Sequence, residues 1–145
     1  MRERTIRNII QDQDLLTATA DMPVAEAARQ MRQRQVGAIV VVQDERLVGI
    51  FTERDALFRV LAAGVDPATT PVAEVMTRHP AFLDPGQPFA AALHLMHEGQ
   101  FRHVPIVENG KPVGMVSSRD AFGPELEDFM YSIILNEHVQ GDLLA

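Results

Sequence analysis

Gly49-x-x-Thr52-x-x-Asp55 places a small residue, a hydroxyl and a carboxylate at three-residue intervals. The apolar run before Thr52 reads as a strand and the stripe after Asp55 as a helix. The hydroxyl and carboxylate therefore converge where one element runs into the other. An ionised aspartate only accepts hydrogen bonds, and its two oxygens suit adjacent hydroxyls of a ribose. Charge-assisted bonds of this kind contribute about 1.5–3 kcal/mol each. Glycine in the strand would let a flat ligand approach the backbone. A second role is open to the same residues, with Thr52 as a helix N-cap and Asp55 as its first-turn acid.

The arrangement recurs 65 positions later as Gly114-x-x-Ser117-x-x-Asp120. Leu16 to Asp55 aligns with Ala81 to Asp120 without a gap, and ten of the forty pairs are identical. A duplicated hydroxyl–carboxylate pair, each behind a glycine-bearing strand, points to a pair of related ligand sites in a pseudo-two-fold molecule.

The elements that position the pairs are legible in each copy. Val24, Ala27, Ala28 and Met31 give an apolar helical face, repeated by Phe89, Ala92, Leu93 and Met96. Pro23 and Pro88 stand near the first turn, where a missing N–H costs least. A strand follows over residues 36–42 or 101–107, then a polar turn, then a second strand to Thr52 or Ser117. Asn109-Gly110 is a strong hairpin signal. Ala56, Leu57, Val60 and Leu61 predict a helix after the first motif. A lead-in turn aligns Thr5–Ile10 with Pro71–Met76 at an offset of 66. The alternation of period 2 and period 3.6 indicates an α/β fold. It comprises two repeats, residues 1–65 and 66–122, each a small sheet with two helices, packed as a pseudo-two-fold pair. Residues 123–145 form a helical tail with an apolar stripe of Leu126, Phe129, Met130, Ile133 and Ile134, and Gly141 is its expected stop. The repeats are small enough that a shared core is expected.

Composition narrows the function. Net charge is −7, which argues against nucleic-acid binding by phosphate neutralisation. There is no cysteine, hence no disulfide framework and no thiolate chemistry. No apolar run approaches the roughly 20 residues of a membrane span, and the charged N-terminus lacks the apolar segment of a signal peptide. A cytoplasmic protein is expected. His94 and His97, at i and i+3, have a spacing open to metals but no third ligand, so a packing or surface role is expected. No nucleophile elbow, P-loop or HExxH motif is present, and the chain reads as non-enzymatic.

The two signatures, with Val36-Gly37-Ala38-Ile39-Val40-Val41-Val42, Arg102-His103-Val104-Pro105-Ile106-Val107 and the lead-in Val75-Met76-Thr77, resemble a tandem pair of cystathionine-β-synthase-type (CBS) domains, a Bateman module. The resemblance runs from about Thr5 to Phe122. It implies a stand-alone regulatory sensor that binds adenosine-containing ligands (AMP, ADP, ATP, S-adenosylmethionine or NAD-type molecules) in clefts between the repeats, with or without Mg²⁺. It implies no obligatory cofactor and no catalytic or metal-ligating residue. By position, Asp55 and Asp120 would hold ribose hydroxyls, joined by Thr52 and Ser117. Thr17, Val36, Ala38, Phe101 and Val104 would flank the adenine. Arg102, His103, Arg54 and Arg119 would face phosphate, with only one of Arg102 and His103 pointing toward a given cleft. Thr17 is matched by Phe82 in the second copy, so unequal sites are expected. The resemblance also implies a homodimer and an unidentified regulated protein as partners. The alternative reading is an interaction scaffold of the same fold without a nucleotide.

Overall fold

The computed structural model describes residues 3–121 and 123–144; Met1, Arg2, Phe122 and Ala145, which close the predicted repeats and tail, lie outside it. Thr5 caps α1 (Ile6–Ile10) by accepting from the Asn8 N–H. Then follow β1 (Thr17–Thr19), α2 (Val24–Arg34), the hairpin β2 (Ala38–Gln43) and β3 (Arg46–Thr52), and the short α3 (Glu53–Asp55), which continues as a π-helix over Ala56–Leu61. A 3₁₀ turn (Val72–Glu74) and β4 (Thr77–Arg78) lead to α4 (Phe89–Gly99), β5 (His103–Glu108), β6 (Lys111–Ser117), a 3₁₀ turn (Ser118–Asp120) and α5 (Gly123–Leu144).

The offset of 65 is reproduced in the helix ends and hairpins of the two copies. Helices α2 and α4 both end in a left-handed glutamine, Gln35 at φ 55° and Gln100 at φ 58°. Both hairpins carry a register irregularity at the same place, between Val41 and Val42 and between Ile106 and Val107. Both turn on two residues of positive φ, Asp44-Glu45 and Asn109-Gly110, the twist that suits a two-residue hairpin loop.

The cores do not follow the order of the chain. Strands β1-β2-β3-β4 form one sheet, parallel between β1 and β2 and antiparallel elsewhere; β5 and β6 form a second. The first core holds Val24, Met31, Ile39 and Phe51 from the first repeat, and Val72, Val75 and Met76 from the lead-in of the second. The second core holds Phe89, Met96, Ile106 and Val116 with Ile6 and Ile10 from the lead-in of the first. Each lead-in thus crosses to the other repeat. Ile6 N–H donates to the Gln87 carbonyl at 2.9 Å and Phe89 N–H to that of Arg4 at 2.8 Å; Val72 to Met22 at 2.8 Å and Val24 to Thr70 at 3.0 Å are their pseudo-symmetric counterparts. Two cores joined by exchanged segments replace the expected shared one.

This exchange explains the signature glycines. A Cβ on Gly49 would collide with the Met76 side chain, and one on Gly114 would lie 2.7–2.9 Å from Ile10 Cγ2, Cβ and Cδ1. Met76 and Ile10 occupy equivalent places in the two lead-ins, so each glycine gives way to a crossing segment rather than to a flat ligand. Gly114→Ala should cost about 1–3 kcal/mol through overpacking, lowering the melting temperature by roughly 4–12 °C. Gly49→Ala should cost less, because methionine adapts its shape where branched isoleucine does not. Thermal melts of both variants check the ranking.

The second helix of the first repeat differs from the expected stripe. Its i→i−5 bonds, such as Ala62 N–H to the Leu57 carbonyl at 2.9 Å, widen the turn. Val60 is buried, whereas Leu57 and Leu61 are 50% and 75% exposed. Helix α5 runs through Gly141 to Leu144 rather than stopping there. Phe129 docks edge-on to His94 and His97, with ring centroids 5.0 and 5.9 Å away, which gives those histidines the packing role expected of them. Leu126, Met130 and Ile134 face outward.

Candidate functional site

Each signature opens onto a cleft completed by the other repeat. The larger cleft, about 810 Å³, lies between Thr52–Arg59 and the stretches Thr77–Ala81 and Gly99–His103. The smaller, about 340 Å³, lies between Ser117–Asp120 and the stretches Gln13–Leu16 and Arg34–Ala38. Both volumes fall in the range of small-molecule sites, about 300–1,000 Å³. Backbone bonds lock each signature beside its own first strand, Glu53 N–H to the Gly37 carbonyl at 3.0 Å and Ser118 N–H to that of Arg102 at 3.2 Å.

The two carboxylates have different surroundings. Asp55 is buried, 6% exposed. Its Oδ2 accepts from the Thr52 N–H at 3.0 Å and the Thr52 hydroxyl at 3.1 Å. The Thr77 hydroxyl lies 3.2 Å from Oδ1 and 3.3 Å from Oδ2, and Arg59 Nε is 3.5 Å from Oδ1. The Asp55 N–H returns a bond to Thr52 Oγ1, which closes a capping box. Asp120 is half-buried, and its Oδ2 accepts from the Ser117 N–H at 2.8 Å. The capping role open to these residues is therefore realised, and at Asp55 it engages both oxygens. Thr77 makes the difference. It belongs to β4, which pairs with β3, and the first lead-in forms no matching strand. There the Gln13 side chain bonds the Met115 N–H and carbonyl, both at 2.7 Å, in place of strand pairing.

Among the residues expected at the base, Val36 and Ala38 line the smaller cleft and Phe101 the larger. Thr17 and Val104 line neither. Val104 is fully buried, because it follows His103 in β5 and points to the opposite face. Thr17 lies beyond the smaller cleft on β1, and Leu15 and Leu16 take the place expected of it. Arg54 lines the larger cleft and Arg119 the smaller. Arg54 also stacks on Phe58, 5.6 Å from the ring centroid.

Arg102 and His103 both line both clefts, contrary to strand alternation, because Arg102 precedes β5 rather than lying within it. Glu53 joins them in both. Sequence reasoning passed over Glu53, whose counterpart Ser118 is uncharged. It also missed Thr77 and Arg59, although Thr77 is readable as the residue after the lead-in that aligns at an offset of 66.

Burial holds the His103 imidazole below the ordinary histidine range; Arg119 and Arg102 push the same way, while Glu53 and Asp120 oppose. The unfolded chain then takes up a proton at higher pH than the folded one. The stability held by neutral His103 is present above about pH 6.5 and is lost as pH falls toward the depressed value. The urea midpoint should fall more steeply from about pH 7.5 to 5.5 in the parent than in His103→Gln, and equal slopes would contradict the assignment.

The fold and clefts define a tandem pair of α/β repeats with a ligand-sized cavity at each signature. Residues 6–62 and 72–123 each match the CBS domain family, and the chain belongs to it. It is 36% identical over 115 residues to the CBS domain-containing protein CBSCBSPB2 of Arabidopsis thaliana, covering 79% of this chain and 21% of that protein. The chain thus spans about a fifth of this relative's length. The crystal structure of the CBS domain protein NE2398 superposes with a TM-score of 0.77 at 29% identity, covering 89% of this chain and 99% of that one. The CBS domain pair of protein MJ0100, solved with 5′-methylthioadenosine and S-adenosyl-L-methionine, superposes with a TM-score of 0.73 at 24% identity, covering 82% and 93%. CBS domain pairs are regulatory modules. Among the described residues, no helix is long and apolar enough to cross a membrane, and no group of side chains is arranged to hold a metal ion.

Proposed function

We propose that this chain is a non-catalytic sensor of adenosine-containing ligands, which it takes into the two clefts and reports through a partner or its own association. The observation that carries this reading is the half-buried Asp120 carboxylate beside Ser117 at the rim of the smaller cleft, with arginine and histidine close by. A carboxylate so placed suits a vicinal diol, while Arg102, Arg119 and His103 suit a phosphate. The adenosyl ligands of MJ0100 support the same ligand class. Mg²⁺, where a polyphosphate is bound, would be carried by the nucleotide. The module pairs with a second copy through the outward apolar face of α5.

Mass spectrometry of small molecules released from the native protein, followed by calorimetry with the compound found, tests the reading. Release of an adenosine compound that rebinds in the micromolar range supports it. A protein that purifies empty and takes up neither AMP, ATP nor S-adenosylmethionine is instead an interaction scaffold, the reading favoured by the engagement of both Asp55 oxygens by Thr52, Thr77 and Arg59.

A further inference from the structure

The two clefts share a wall. Of the residues lining them, Glu53, Arg102 and His103 belong to both. The wall is built unequally across the pseudo-two-fold relation. The first repeat contributes Gly37 and Ala38 where the second contributes Arg102 and His103, and the first places Glu53 where the second has Ser118. The small residues leave room for the large ones. A methyl group on Gly37 would lie 3.0 Å from Glu53 Oε1 and 3.2 Å from His103 Cε1, so side chains from both repeats close on that backbone. Each cleft also has arginines of its own, Arg54 and Arg59 in the larger and Arg34 and Arg119 in the smaller.

We infer that phosphate-bearing ligands bind the two clefts with negative coupling, because both draw on the one shared Arg102 guanidinium, with the His103 imidazole beside it. The inference rests on the nucleotide reading above and adds how the two sites regulate each other. A phosphate in one cleft recruits the Arg102 guanidinium, whose planar fork serves one anion at full geometry. The second phosphate then meets a wall whose charge is already neutralised, with Glu53 still present on it, and faces the first across low-dielectric protein. Coupling of this kind is reciprocal, so filling either cleft weakens the other by the same factor. A ligand without phosphate leaves the pair unused and should bind the clefts independently.

Calorimetry on the full chain with AMP and with adenosine tests this. Asp120→Ala disables the smaller cleft, and Ala81→Trp, at an exposed position, plugs the larger. For AMP, the overall two-site constant of the parent should fall about tenfold below the product of the two single-cleft constants, within the usual range of such couplings. One AMP per parent chain, with each single-cleft variant also binding one, is the strong form of the same result. Adding Arg102→Gln to every chain should bring the factor close to one, and adenosine should show none. The inference is overturned if the parent isotherm equals the sum of the single-cleft isotherms. It is equally overturned if only one single-cleft variant binds AMP, or if the factor survives Arg102→Gln or appears with adenosine. Absence of AMP binding in every chain would instead remove the nucleotide reading, and the coupling with it.

Discussion

Asp120→Ala should weaken AMP binding at the smaller cleft by tenfold or more while leaving the fold intact, whereas Asp55→Ala should unfold the protein at markedly lower temperature. At Asp120 the described bond to the carboxylate is the single one from the Ser117 N–H, and losing such a cap costs about 1 kcal/mol. Loss of ribose bonds at about 1.5–3 kcal/mol each exceeds the 1.4 kcal/mol that makes a decade of affinity. Asp55 differs because it is buried and bound by Thr52 and Thr77, with Arg59 alongside. Removing it opens the capping box and takes from the half-buried Thr77 hydroxyl the carboxylate it donates to. With Arg59 half in solvent and discounted, the loss is about 2–4 kcal/mol, or roughly 8–16 °C. Calorimetry with AMP and thermal melts on the two variants separate the roles. Parent affinity in Asp120→Ala would remove the ribose assignment at that cleft, and a parent melting temperature in Asp55→Ala would contradict the structural role.

Much of this was legible because the offset of 65 is a property of the chain itself. Helices, hairpins and the placement of Thr52, Asp55, Ser117 and Asp120 at strand ends follow from period and turn chemistry. The exchange of lead-ins was not legible. Periodicity reports which residues are apolar in a window, and Ile6 and Ile10 are as apolar whichever core receives them. The role of the glycines failed for the same reason, since Gly114 is explained by Ile10, over a hundred residues away in the chain. The clefts were legible as a class and not in detail. Val104 and Thr17 depend on which face of a strand meets the cavity, and that is settled by packing between repeats. The shared wall depends on what Gly37 leaves open, a property of space rather than of sequence pattern.

The tail offers the other large effect, and its two faces should behave differently. Phe129 packs on the second core between His94 and His97. Phe129→Asp would place a charge against that core and forfeit a burial contribution of up to about 2–3 kcal/mol, lowering the melting temperature by roughly 8–12 °C. Leu126, Met130 and Ile134, at i, i+4 and i+8, stand 43%, 55% and 59% exposed on a face centred about 100° round the helix from Phe129. Leu61, the counterpart of Leu126 at the offset of 65, is 75% exposed as well. The proposed pairing would bury this apolar surface, and a two-fold arrangement would place the same patch on both subunits. Replacing Leu126, Met130 and Ile134 by Asp should therefore halve the mass seen by light scattering, with circular dichroism unchanged. Phe129→Asp, in contrast, should lower the melting temperature even where mass is preserved. A triple variant that keeps the parent's mass would show that α5 only docks on its own chain, and the proposed pairing would then have to use another face.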